Sequence, residues 1–261
     1  LAPTGTARGI TTDGAGTLFA VGETGSNMYL YRLRPNDTSW QGTGFYTTQL
    51  ACVVRYVNGY VYLAVTSVSL LYRVDPSTGT YTTLTTSHGT IVAGVSDGST
   101  YLYLLQQAGT TFWRVRLSDG QTTTLAALPA ATGAGCCMAY DGVDSIYVMR
   151  GGGTTFYRYS ISGNSWSTLA AAPAAVGDGA ALVYDGVDTL YLTRGGNTNE
   201  MYRYSISANS WTRHLLLPSN VTTGGSAVWM GRGSMAVVYG GDTAVARLSP
   251  LPTFAWRPFQ A

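Results

Sequence analysis

One arginine recurs along this chain at a nearly constant interval. It stands in "LYRL", "LYRV", "FWRV", "FYRY", "MYRY" and "VARL" as Arg32, Arg73, Arg114, Arg158, Arg203 and Arg247. The successive separations are 41, 41, 44, 45 and 44 residues. A period of a few tens of residues marks stacked supersecondary units, none of which can bury a core alone. A second marker keeps phase: eight or nine residues after each arginine come Trp40, Tyr81, Thr122, Trp166, Trp211 and Trp256. The chain reads as six copies of one unit.

Within a unit the pattern is that of short strands. In the fifth copy "GAALVY", "TLYLTR", "EMYRYSI" and "SWTRHLLL" are separated by a D-G turn, a G-G loop and an S-A-N turn. Asp-Gly or Asn-Gly follows the first of these segments in five copies (Asp13, Asn58, Asp97, Asp141 and Asp185), and such pairs supply the positive φ that hairpin turns require. The Ala-rich "LAALPAAT" and "LAAAPAAVG" are broken by Pro129 and Pro173, so no helix is expected.

Six four-stranded units that must bury both sheet faces are satisfied by radial packing. The expected fold is all-β: a six-bladed β-propeller of four-stranded antiparallel blades. It would be a single domain over 1–261, with blades near 5–48, 49–88, 89–132, 133–176, 177–223 and 224–261. The Gly- and Ala-rich first strand belongs at the axis and the aromatic fourth strand outside. The "TFAWRPF" stretch supplies the last fourth strand, so the first and last blades can close the ring without strand exchange, although Leu1 to Thr4 could clip onto the last blade.

The segments "IYVMRGGG", "YRYSISGNSW", "LYLTRGGN" and "YRYSISANSW" resemble kelch repeats: a strand ending in a Gly doublet, an aromatic strand, then a Trp. The spacing covers all six units. The doublet survives at Gly151-Gly152, Gly195-Gly196 and Gly240-Gly241, while the first three copies have diverged. The resemblance implies a propeller and, for many kelch proteins, protein interaction; it also admits sugar-acting enzymes.

The six periodic arginines are read as structural, stacking on aromatic neighbours and facing the next blade. Binding is assigned to the loops between second and third strands, which emerge on one face. Arg150 and Arg194 close the second strand in adjacent copies, with Gln106 and Tyr239 at matching positions; Gln107, Asn197 and Asn199 complete the expected binding set. "RGGGTT" precedes a strand, not a helix, and so is no phosphate cradle. Asp141 with Asp144, and Asp185 with Asp188, offer too few oxygens for calcium and are read as turn residues.

No catalytic set is expected. The two histidines, His88 and His214, fall in different blades, and no nucleophile elbow is present. Cys52, Cys136 and Cys137 lack zinc-ligand spacing and are read as buried thiols, and no cofactor motif occurs. All 15 basic residues are arginines scattered along a chain of net charge +2, which provides no footprint for nucleic acid. No apolar run is long enough to insert in a membrane. Only 11% of residues are charged. The resulting expectation is a non-enzymatic binding or structural module whose rim loops meet a protein partner. Its expected setting is an exported, cell-surface or virion assembly rather than the cytoplasm. The alternatives are a carbohydrate-binding propeller and, below it, a sugar-acting enzyme.

Overall fold

The computed structural model describes residues 6–49, 51–241, 245–248 and 257–258. They form six antiparallel sheets of four strands each. The first strands are Thr6–Thr12, Ala51–Val57, Ile91–Ser96, Cys137–Tyr140, Ala181–Tyr184 and Ser226–Gly231. Each lies against the first strand of the next sheet, and the last lies against the first, so the ring is closed. The architecture is the six-bladed propeller that the period predicts. The last blade completes its own sheet, pairing Val245–Leu248 with Arg257–Pro258 through Arg247↔Arg257. Leu1 to Thr4, Trp256 and the Cys52 side chain lie outside what is described.

Six hydrophobic clusters fill the six interfaces between blades. The second strand of blade 4 shows why its sequence is apolar at nearly every position. Ile146 and Val148 face blade 3, whereas Tyr147 and Met149 face blade 5, and all four are at most 2% exposed. A strand buried on both faces loses the polar/apolar alternation of a half-buried one. The same rule separates Cys136, packed toward blade 3, from Cys137, packed toward blade 5; both are free thiols.

The repeated phrases "YSISGNSW" and "YSISANSW" act as latches. Asn164 takes φ 44° in the turn between third and fourth strands, and its Oδ1 accepts the Ala126 backbone N–H at 2.9 Å and the Tyr159 hydroxyl at 2.7 Å. Trp166 Nε1 donates to the Ala126 carbonyl at 2.8 Å. Asn209, Tyr204 and Trp211 repeat this grip on Ala170 at 2.9, 2.7 and 2.9 Å. Both polar groups of one linker residue are thus satisfied by the following blade. Above each latch an aromatic triad packs edge to face: Phe112–Tyr159 at 4.9 Å and Phe156–Tyr204 at 4.9 Å, each closed by its Trp.

The periodic arginines behave differently from the expectation of inter-blade stacking. Arg73 lies 4.8 Å over Tyr60 and Arg114 4.5 Å over Tyr101, in each case within its own blade. Arg32 reaches the next blade through the Pro76 carbonyl at 2.9 Å. Arg158, Arg203 and Arg247 are exposed. In blades 4 and 5 the place of Tyr101 is taken by Ser145 and Thr189, so no ring is present for Arg158 or Arg203 to cover.

Two turn types join first to second strands. Asn58-Gly59 is a two-residue turn with φ of 50° and 87°, and Val57 pairs directly with Tyr60. The Asp-Gly turns are wider: Tyr140 pairs with Ile146, and only the glycine (Gly142, φ 83°) has positive φ. There the aspartate fixes the turn, Asp141 Oδ1 accepting the N–H groups of Val143, Asp144 and Ser145 at 2.9, 3.1 and 3.0 Å. Asp97 and Asp185 accept the equivalent three N–H groups in blades 3 and 5.

Candidate functional site

Antiparallel blades place the loops between second and third strands, with the linkers between blades, on one face of the ring. The two kinds of turn occupy the other. On the loop face, Arg150 Nη1 donates to the Ala131 carbonyl at 2.9 Å and Arg194 Nε to the Ala175 carbonyl at 2.9 Å. Arg194 also pairs closely with Glu200, which Arg213 meets at 3.2 Å. The hydrogen bond from Arg194 holds the Glu200 carboxyl below the usual range, against a smaller opposing push from burial. Gln106 folds into its own hairpin, its Oε1 accepting the Thr111 N–H at 3.2 Å and hydroxyl at 2.6 Å.

The rest of the predicted set is dispersed. Gln107 is exposed, its N–H donating to the Thr90 carbonyl at 2.9 Å. Asn197, at φ 59°, accepts from Asn220 at 3.3 Å, and Asn199 donates to the Leu217 carbonyl at 3.1 Å. Tyr239 is 5% exposed within the cluster between blades 5 and 6. Burial pushes its phenol up to about 12. The residues therefore share a face without converging: Arg150, Arg194, Gln106, Asn199 and Tyr239 are drawn into their own blades or linkers, while Gln107 and Asn197 stay exposed.

The Gly doublets explain part of that inward turn. A Cβ on Gly151 (φ 84°) would stand 2.3 Å from the Gly133 carbonyl oxygen, and one on Gly195 (φ 66°) 2.4 Å from that of Gly177. The loops press on the preceding linkers, with Gly152 N–H donating to Ala134 and Gly196 N–H to Asp178 at 2.7 and 2.8 Å. "RGG" is a packing device in blades 4 and 5.

On the turn face the axial ends of blades 3, 4 and 5 border a wide, open cavity of ≈ 500 Å³. Its walls include Ser96, Asp97, Tyr140, Asp141, Tyr184 and the turn glycines. The Tyr140 and Tyr184 hydroxyls donate to the Val143 and Val187 carbonyls at 2.9 and 2.8 Å, which fixes both rings at the wall. Burial raises both phenols; Asp141 and then Asp97 add to the effect at Tyr140, and Asp185 and then Asp141 at Tyr184. Carboxylates of neighbouring blades thus act on the same rings. Val143 and Val187, at the turn tips, are 81% and 82% exposed. In sequence these aspartates read only as turn residues; the signal for more is "YDGVD", repeated in adjacent copies with the tyrosine one residue before the turn.

Asp144 and Asp188 brace the same face. Asp144 accepts the Ser162 N–H at 2.7 Å and the Ser160 and Ser162 hydroxyls at 2.8 and 2.9 Å, and these bonds lower its pKa. Asp188 does the same with Ser205 and Ser207. Among the described residues no group of three or more His, Cys, Asp or Glu side chains is placed to hold a metal. His88 is buried beside Trp113 and His214 packs on Tyr191, and burial lowers both imidazoles.

No family profile matches the chain, and no curated protein matches it in sequence. Among solved structures it is similar to a structural genomics protein of unknown function from Bacteroides thetaiotaomicron VPI-5482. That likeness has a TM-score of 0.70 at 15% identity, over 93% of this chain and 68% of the other. Such a likeness carries the propeller fold and nothing finer. No helix among the described residues is long and apolar enough to cross a membrane.

Proposed function

We propose that this chain is a non-enzymatic, kelch-like propeller that binds a protein partner on one face, as an accessory part of an exported, cell-surface or virion assembly. The observation that carries the reading is the contrast between a ring closed by six packed interfaces and an open, three-blade cavity on its turn face. A rigid ring holds the residues around such a depression in fixed positions, and a preformed surface costs a partner little reorganisation on binding. Around the cavity the phenols are held as donors to wall carbonyls and each aspartate is held by its turn through one oxygen, which fixes a polar contact surface in place.

The immobilised chain should capture a partner that, once purified, rebinds saturably. A parallel glycan array and a screen for turnover of free sugars decide between classes. Specific glycan signals with no protein partner would replace this reading with a lectin, and sugar turnover would replace it with an enzyme.

A further inference from the structure

The turn-face cavity has a chemistry of its own. Its charged lining is acidic, from Asp97 and Asp141, with Asp185 in the next turn beside the lining Gly186. Each aspartate uses Oδ1 to hold its turn, and Oδ2 makes no hydrogen bond among the described residues. The tyrosine hydroxyls have already donated their hydrogens, so they present acceptor oxygens. The opening therefore sets negative charge and acceptor oxygens in a wall that is otherwise largely apolar. The matching positions in the other blades do not extend the acidic run: Asn58 stands on one side of it and Arg232 on the other, with Asp13 between those two. Arg55 engages its guanidinium with the Val54 and Gly94 carbonyls.

An apolar margin adjoins this acidic centre. Val143 and Val187 stand almost fully exposed on adjacent turns, above tyrosine rings that wall the cavity. Isolated exposed valines are ordinary, but two at the same repeat position beside one concavity form a surface with a centre and a rim.

We infer that this mouth receives a lysine or arginine side chain from a protein partner, its charge among Asp97, Asp141 and Asp185 and its apolar flanking residues against Val143, Val187 and the tyrosine rings. The inference rests on the binding-module reading and specifies its face and partner chemistry. Complementary charge is the argument for a cation, and the aromatic walls suit its aliphatic stem and its charge. A neutral sugar would leave the charge unmatched.

The chain has no lysine, so carbodiimide cannot join its carboxylates to a lysine of its own. The probe is the peptide acetyl-Gly-Leu-Lys-Leu-Gly-amide, with a glutamate-for-lysine peptide as control. Coupling should concentrate at Asp97, Asp141 and Asp185. Equilibrium binding of the fluorescently labelled peptide, read by anisotropy without carbodiimide, should weaken about fivefold or more in the Asp97→Asn/Asp141→Asn variant, and weaken at salt where the screening length is under about 10 Å. Asparagine keeps the Oδ1 acceptor of each turn, so the variant removes charge while preserving the fold. Val143→Ser with Val187→Ser, on exposed tips, should weaken the peptide without touching the turns.

Coupling spread over all acidic residues by exposure, or a peptide affinity unchanged in the asparagine variant, overturns the inference. So does binding of a neutral glycan that the same variant abolishes. A purified partner bound equally by wild type and variant defeats this inference and leaves the binding-module reading standing. Absence of any protein partner defeats the parent reading instead.

Discussion

The two faces of the ring treat repeated polar residues in opposite ways. On the loop face Arg150 and Arg194 extend back to the carbonyls of Ala131 and Ala175, so each commits its guanidinium to a neighbouring linker through at least one donor. On the turn face Asp97, Asp141 and Asp185 fix their own turns through one oxygen and keep their charge at an opening. Side-chain length is the difference. A long guanidinium at a strand end can reach the neighbouring linker, whereas a carboxylate on one methylene is held by the next few N–H groups. A position at the rim therefore says little about function until one asks how far its side chain can fold back.

The hardest test of the loop face as scaffold is Gly195→Ala. The new Cβ would meet the Gly177 oxygen at 2.4 Å and the Ala180 nitrogen at 2.5 Å, in a backbone of φ 66°. Strain and backbone clash together should cost about 3 kcal/mol or more in chemical denaturation. A loss under about 1 kcal/mol would mean that this loop yields easily, as a binding loop would.

Next in size is the latch. Asn209→Ala removes the acceptor shared by the Ala170 N–H and the Tyr204 hydroxyl. Leaving these groups without their partner should cost about 1–3 kcal/mol. Trp211→Phe, which deletes the donor to the Ala170 carbonyl while keeping an aromatic ring, should cost less. Equal losses would place the latch's stabilisation in ring packing instead.

The fold was legible because the period runs through all six copies while turn pairs and aromatic register each hold in five of them, and a closed ring is the way six such sheets bury both faces. The latch could be quoted from sequence but not explained, since its partner lies about forty residues upstream: Asn164 with Ala126, Asn209 with Ala170. The candidate site was less legible. A reading along the chain sees Asp141 in a turn, but not that Asp97 and Tyr184, a blade away on either side, share its cavity. Nor does it show that Tyr239, aligned with Arg194, packs inward: an aromatic ring is best accommodated in the cluster between blades, whereas a guanidinium needs acceptors.

A smaller effect tests Arg194. Arg194→Gln removes a partner of Glu200 and a donor to Ala175, for an expected loss of about 1 kcal/mol at neutral pH. The folded-state pKa of Glu200 lies below its ordinary 4.5, chiefly because of the Arg194 hydrogen bond. The ion pair's stabilisation is therefore present above that value and lost as pH falls through the lower, folded one. The gap between variant and wild type should narrow in acid, starting below about pH 4.5. A gap constant with pH would leave only the Ala175 bond to account for the loss.

The smallest expected effect sharpens the contrast from the other face. Asp141→Asn retains an Oδ1 acceptor for Val143, Asp144 and Ser145, so stability should change by under about 0.5 kcal/mol. Asp141→Ala deletes all three bonds and should destabilise clearly more, because the wide turn loses the oxygen that organises it. If asparagine proved as damaging as alanine, the charge itself would be holding the turn, and Asp141 would belong to the scaffold as fully as Arg194. A near-neutral asparagine variant separates the two roles: the turn needs an oxygen, and the charge is left to act on whatever enters the cavity.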